Sequence, residues 1–230
     1  MLSASSKGKD MKSGLSRELI ALRVAKELKS GSYVNLGIGL PTLVSSFIPE
    51  DSEVILHSEN GILNFGRIAN TKEIDPDLIN AGSQPITLKP GAAFFDSADA
   101  FAMIRGGHID VAVLGAFQVS EKGDLANWMI LEKEVGSIGG SMDLVSAVKE
   151  VIVAMEHTTR SGEPRIVKEC TYPLTGRKVV NLIITNLAVI EVTPEGLLLK
   201  EVAPSVTPEE VQAVTEPKLK LARELREMAL

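Results

Sequence analysis

The sequence predicts an α/β fold: an open, mostly parallel sheet flanked by helices. Three observations carry this expectation. Short apolar, β-branched runs at residues 34–36, 53–56, 109–116, 151–155 and 179–184 alternate with stretches of helical character at 17–28, 92–105 and 138–148. Glycine-containing turns follow strand ends, as at Gly37, Gly39 and Gly61. At 230 residues and 44% hydrophobic, the chain can build one sizeable core, whereas two independent cores would be crowded.

Ser16 opens the first helix as N-cap, Glu18 complements its dipole, and Gly31 lies just past its end. Positions 19, 20, 22, 24, 25 and 28 form one apolar face. The strand at 34–36 runs into Gly37-Ile38-Gly39-Leu40-Pro41, and a helix over 42–47 follows with Pro41 at its first position. Backbone N–H groups at such a junction can contact an anion, so Gly37 and Gly39 are candidates for phosphate or carboxylate binding. Tight packing beside a site explains the same glycines, and the spacing falls short of G-x-G-x-x-G.

Residues 53–56 read as a short buried strand that breaks at His57-Ser58-Glu59-Asn60-Gly61. Glu59 therefore lies just past a strand's carboxyl end, where α/β sheets keep their ligands. Taken alone, the string is an ordinary surface turn. Residues 65–90 read as a long loop, the kind that often forms a lid or an interface. Gln118 and Trp128 belong to a hairpin-like excursion after the strand at 109–116. Gly139 and Gly140 immediately precede a helix with Asp143 in its first turn. After the strands at 179–184 and 187–192, Thr207-Pro208-Glu209-Glu210 starts a charged terminal helix. Residues 1–14, rich in Ser and Lys, read as a disordered lead-in to a single domain over 15–230, and they fail as a secretory signal.

A net charge of -6 argues against non-specific binding to nucleic acid or to anionic membrane. The single cysteine, Cys170, excludes an intrachain disulfide and lacks the neighbours of a zinc site, so no metal is expected. With no apolar run near the roughly 18 residues of a membrane span, the expectation is a soluble, cytoplasmic protein.

Ser58-Glu59-Asn60-Gly61 resembles the active-site motif of the B (β) chain, or C-terminal half, of the 3-oxoacid CoA-transferases. Asn35-Leu36-Gly37-Ile38-Gly39-Leu40-Pro41-Thr42 upstream is similar to the same family. So are Asp75-Pro76-Asp77-Leu78-Ile79-Asn80-Ala81-Gly82, Ile104-Arg105-Gly106-Gly107-His108, Asn127-Trp128-Met129-Ile130 and Gly139-Gly140-Ser141-Met142-Asp143-Leu144-Val145 downstream. The resemblance implies the fold shared by CoA-transferases and some sugar-phosphate isomerases. It also implies a separate A (α) subunit in a heterotetramer or larger assembly, with homo-oligomers possible for the isolated chain, and coenzyme A as substrate with no permanently bound cofactor. The family's usual Pro-Gly-Lys is here Leu131-Glu132-Lys133, and Ile138 and Ser141 stand where Met and Ala are common. Because coenzyme A is itself anionic, an acidic chain needs either a local basic pocket or contacts from a partner.

By the same resemblance Glu59 is the nucleophile. A carboxylate is ionised near neutrality and needs no partner base, so the missing Ser-His-Asp set is no objection. Its attack on an acyl-CoA yields an acyl-glutamyl anhydride and then a glutamyl-CoA thioester, each still activated for transfer. Gly139 and Gly140 are the candidates for oxyanion donors, although glycine at a helix entry also serves backbone geometry alone. Ser58, Asn60 and Gly61 are expected to fix the turn, with Ser58 and Asn60 bonding Glu59. His57 reads more readily as a satisfied structural histidine than as a base. Gly37, Gly39 and Gln118 are possible substrate or CoA contacts, and Trp128 belongs either to the pocket or to an interface between chains. Two other readings remain open: a non-catalytic binding module on this fold, and an acyl-CoA hydrolase.

Overall fold

The computed structural model describes residues 14–130 and 135–230. Most of the expected lead-in and all of Leu131-Glu132-Lys133 lie outside them. The chain runs through α1 (Arg17–Ala25), β1 (Tyr33–Leu36), a 3-10 helix (Pro41–Phe47), β2 (Ile55–Ser58), β3 (Ile62–Ile68), β4 (Ile86–Phe94), α2 (Ser97–Arg105) and β5 (Val111–Leu114). Four short strands follow: β6 (Gln118–Ser120), β7 (Leu125–Ala126), β8 (Met129–Ile130) and β9 (Val135–Gly136). After α3 (Ser141–Ala147) come β10 (Glu150–Met155), β11 (Ile166–Val167), β12 (Leu182–Thr185), β13 (Ala188–Thr193) and β14 (Gly196–Val202). The last elements are α4 (Pro208–Ala213) and β15 (Lys220–Glu227).

Among the described residues a ten-stranded sheet has the order β15-β14-β13-β12-β10-β5-β1-β2-β3-β4. Its centre, from β12 through β10, β5 and β1 to β2, is parallel. Antiparallel pairs extend it on both sides, through β13 and β14 and through β3 and β4. The central strands are buried along their length, with Val34, Ala112, Val113, Val153, Ile183 and Ile184 inaccessible. Such continuous apolar runs, without alternation, are what a sheet covered on both faces requires. Among the described residues no helix is long and apolar enough to cross a membrane.

The order of strands also locates a crevice. From β1 the chain passes to β2 on one side; later it returns to β5 on the other side and continues outward to β10 and β12. The carboxyl ends of β1 and β5 therefore flank a topological switch point, where helices diverge and leave room for ligand.

Several elements differ from expectation. The strand expected at 53–56 lies at Ile55–Ser58, so His57 and Ser58 belong to the sheet. The segment expected as a long loop over 65–90 holds much of β3 and β4, leaving residues 69–85 as connection. Register shifts within that pair, and Asn64 at φ 61°, erase the alternation that would mark it. The helix expected from residue 92 starts at Ser97, behind an Asp96 cap whose carboxylate accepts from Asp99 N. The helix after Pro41 is 3-10 and not α. At the other end the charged terminal helix is an edge strand, β15, paired parallel to β14. Only the short α4 is helical there, closed by a capping box between Thr207 and Glu210.

Candidate active site

β1 and β2 pair in parallel with Asn35 opposite His57. Two residues beyond His57 the chain turns at Glu59-Asn60-Gly61 and returns as β3, with Ser58 opposite Ile62. Gly61 makes this turn possible. Its φ is 109°, and a Cβ there would collide with the Phe95 carbonyl oxygen. Phe95 N donates to Gly61 O at 3.0 Å, which clamps the turn onto the β4–α2 connection.

Ser58 and Asn60 hold the turn from outside. Ser58 Oγ accepts from Ala81 N at 2.9 Å and Asn60 Nδ2 donates to Ile79 O at 2.7 Å, so both moor the 69–85 segment. Their expected hydrogen bonds to Glu59 are not formed among the described contacts. The partner is Asn35, whose Nδ2 donates to Glu59 Oε2 at 3.1 Å and to His57 O at 3.3 Å. Two acceptor oxygens on one side fix the amide's orientation. The same Nδ2 lies 3.1 Å from His57 Nδ1, which makes Nδ1 the acceptor and leaves the ring proton on Nε2. Sequence reasoning gave Asn35 no role. The available signal was the parallel pairing of two expected strands, which sets Asn35 beside His57 and on the face that Glu59 shares two residues later.

His57 is 1% exposed and its ring stacks on Phe95 at 6.3 Å between centroids. Burial pushes its imidazole down to about 4, so it is neutral at physiological pH. The expectation of a satisfied histidine holds for Nδ1 alone. Nε2 faces the Ala100 backbone without a hydrogen bond of ordinary geometry, and Asn35 Oδ1 is also buried without a partner. Unsatisfied polar atoms this close to a carboxylate mark a place where packing was not the only requirement.

Gly140 comes to the same carboxylate. A Cβ on it would stand 3.8 Å from Glu59 Cγ and 3.1 Å from the Phe101 ring, so any larger residue presses on Phe101. Gly139, at φ 51°, precedes it in open space. Gly37 takes the packing role: its N–H donates to Val113 O at 2.8 Å, and a Cβ would crowd Leu114. Gly39 has φ 91° and open space around it. The Gln118 amide is occupied elsewhere, accepting from Thr171 N at 2.8 Å and donating to Thr171 Oγ1 at 3.0 Å. It pins a loop. Trp128 Nε1 donates to Leu174 O at 3.3 Å. Among the described residues no group of three or more His, Cys, Asp or Glu side chains could hold a metal ion.

Residues 17–213 match the family described as Coenzyme A transferase. The chain belongs to the coenzyme A transferase family. This transferase chain is 54% identical over 202 residues to the B subunit of the 3-oxoadipate CoA-transferase of Pseudomonas putida, covering 87% of this chain and 94% of that protein. It is 52% identical over 200 residues to the B subunit of the succinyl-CoA:3-ketoacid coenzyme A transferase of Helicobacter pylori, covering 87% and 96%. Among solved structures the transferase resembles an acyl-CoA transferase apoenzyme from Escherichia coli O157:H7, with a TM-score of 0.75 at 20% identity. That alignment covers 93% of the transferase chain and 43% of the larger one, and it establishes the expected fold.

Proposed function

We propose that the chain is the B subunit of a 3-oxoacid CoA-transferase, with Glu59 as the nucleophile that carries CoA between succinyl-CoA and a 3-oxo acid. One observation carries the reading. Glu59, at the carboxyl end of a central parallel strand, is held by a buried amide at 3.1 Å and faced by Gly140.

The reaction divides into balanced steps. A Glu59 carboxylate oxygen attacks the thioester carbonyl carbon, the tetrahedral oxyanion collapses, and the C–S bond breaks to give the acyl-glutamyl anhydride and CoA thiolate. The thiolate attacks the glutamyl carbonyl and releases the first acid, leaving glutamyl-CoA thioester. The second acid repeats both steps in reverse and regenerates Glu59. Asn35 fixes the direction of attack, a contribution that reaches about 7–11 kcal/mol in well-aligned systems when all orienting contacts are counted. The N–H groups of Gly139 and Gly140 serve the oxyanions, where losing one such donor typically costs about 10²–10³ in rate. His57, neutral and walled in by Phe95, orients Asn35 and transfers no proton.

Ile38, Phe94 and Ile138 are 68%, 58% and 45% exposed, and each is next in sequence to a residue of the site or its clamp. In this reading an A subunit covers these exposed apolar side chains, excluding water from the activated intermediates.

The test is co-expression with the A subunit, incubation with succinyl-CoA, and mapping of the peptide modified by borohydride or hydroxylamine. Label on Glu59 with turnover dependent on acceptor acid supports transfer. Label with acceptor-independent turnover identifies a hydrolase, and absence of label a binding module. Glu59→Gln abolishes exchange in a folded protein; wild-type turnover in that variant refutes the assignment.

A further inference from the structure

A cavity of about 530 Å³ opens at the switch point outside the carboxyl ends of β1, β5 and β10. Arg17, Arg160 and Arg165 line it, against one carboxylate, Glu156. This is a local excess of positive charge on a chain of net charge -6. Arg165 is half-buried, and its guanidinium makes one long contact, Nη1 to Ala116 O at 3.5 Å. Neither it nor Arg17 nor Arg160 forms an ion pair among the described residues, whereas Arg23, Arg67 and Arg105 do. Burial pushes the Arg165 guanidinium below its ordinary range, and the charge of Glu156 across the cavity offsets only part of that cost. Arg17 is the first residue of α1, where unpaired backbone N–H groups disfavour a cation.

We propose that this cavity binds the phosphate groups of a ligand. Guanidinium forks match phosphate oxygens in pairs, and three of them exceed what a single small carboxylate uses. Ile38 adds one exposed apolar side chain to the lining. The same chemistry has two sources: the nucleotide end of coenzyme A, or a separate phosphorylated effector. Glu59 follows β2, and β5 lies two strands away, roughly 10 Å at about 4.8 Å per strand. A short acid bound at Glu59 does not reach that far, whereas a ligand with a long arm does. The phosphate site stands on its own geometry; only its assignment to coenzyme A rests on the transfer reaction proposed above.

Calorimetric titration of the full chain with adenosine 3′,5′-bisphosphate, and separately with inorganic phosphate, tests the site. Saturable binding of the bisphosphate is expected, weakened at least about tenfold by Arg165→Met and by Arg160→Ala. Arg160 is exposed, so its variant leaves folding intact, and Arg165→Met keeps the packing of the stem. Glu59→Gln binds the bisphosphate as the parent does, which separates this result from the fate of the transfer reading. In the assembled enzyme, competition between bisphosphate and acyl-CoA, seen as a raised KM at constant kcat, identifies coenzyme A as the source. Binding that leaves KM unmoved identifies a separate effector. No saturable binding of either probe, or affinity unchanged in both arginine variants, overturns the proposal.

Discussion

Replacing Asn35 by alanine removes the described hydrogen bond to Glu59 while leaving the carboxylate in place. Asn35 is fully buried, so the change does not touch bulk solvent. A hydrogen bond to a charged group is worth about 1.5–3 kcal/mol. If that restraint acts on the attacking carboxylate in the transition state, kcat falls roughly 10- to 150-fold, at about 1.36 kcal/mol per decade. The substitution also strips His57 Nδ1 of its donor, and a buried unsatisfied acceptor costs about 1–3 kcal/mol of stability. Steady-state exchange with the A subunit, together with urea unfolding at pH 7, reads both effects. KM for acyl-CoA should stay within about threefold, because Asn35 aims Glu59 and does not hold substrate. Asn35→Asp sharpens the comparison. It sets a carboxylate against Glu59 Oε2, so kcat falls further at neutral pH and partly recovers on acidification, as the pair takes up a shared proton. A merely structural role gives no such pH profile. A folded Asn35→Ala variant with kcat within twofold of the parent refutes the reasoning.

Gly61→Ala forces a side chain into the Phe95 carbonyl at φ 109°. It should lower stability by about 1–3 kcal/mol and depress kcat by shifting the turn; an unchanged unfolding midpoint counts against that. Arg23 is 5% exposed and pairs Glu201 through Nε at 2.8 Å and Nη2 at 2.9 Å, joining α1 to β14. Arg23→Ala leaves Glu201 uncompensated and should cost about 3–5 kcal/mol in chemical denaturation, and a loss under about 1 kcal/mol contradicts it. Burial holds His57 and His157 down to about 4, so the unfolded chain binds more protons between that value and the ordinary histidine range near 6.5. Their contribution to stability is full above about 6.5 and declines as pH falls toward about 4, by on the order of 2 kcal/mol each at pH 5. Urea midpoints at pH 7 and pH 5 measure this, and a midpoint that holds or rises on acidification disproves it.

How much was legible depended on the range of the interaction that decided each element. The parallel core strands showed themselves because burial on both faces demands an uninterrupted apolar run, as in Val111–Leu114 and residues 151–155. The Ser16 cap and the start at Thr207 were visible because capping is local chemistry. By contrast β15 consists of Lys, Leu, Ala, Arg and Glu, good helix formers, and becomes a strand because the edge of β14 offers backbone partners. The β3–β4 pair escaped notice because bulges break its period. At the site, the position of Glu59 past a strand end was legible, while the attachment of Ser58 to Ala81 and of Asn60 to Ile79 was not.

By itself the sequence determined the class of fold, the turn that presents Glu59 and the glycines that allow close approach, since each follows from residue type and near neighbours. Only the tertiary structure decided that Asn35, 24 residues earlier, holds that carboxylate, that Gly140 faces it, and that Arg17, Arg160 and Arg165 share one cavity. The physical reason is strand pairing. Hydrogen bonds between β1, β2, β5 and β10 join segments far apart in the chain, and their register, which no local preference encodes, sets which side chains meet at the carboxyl edge.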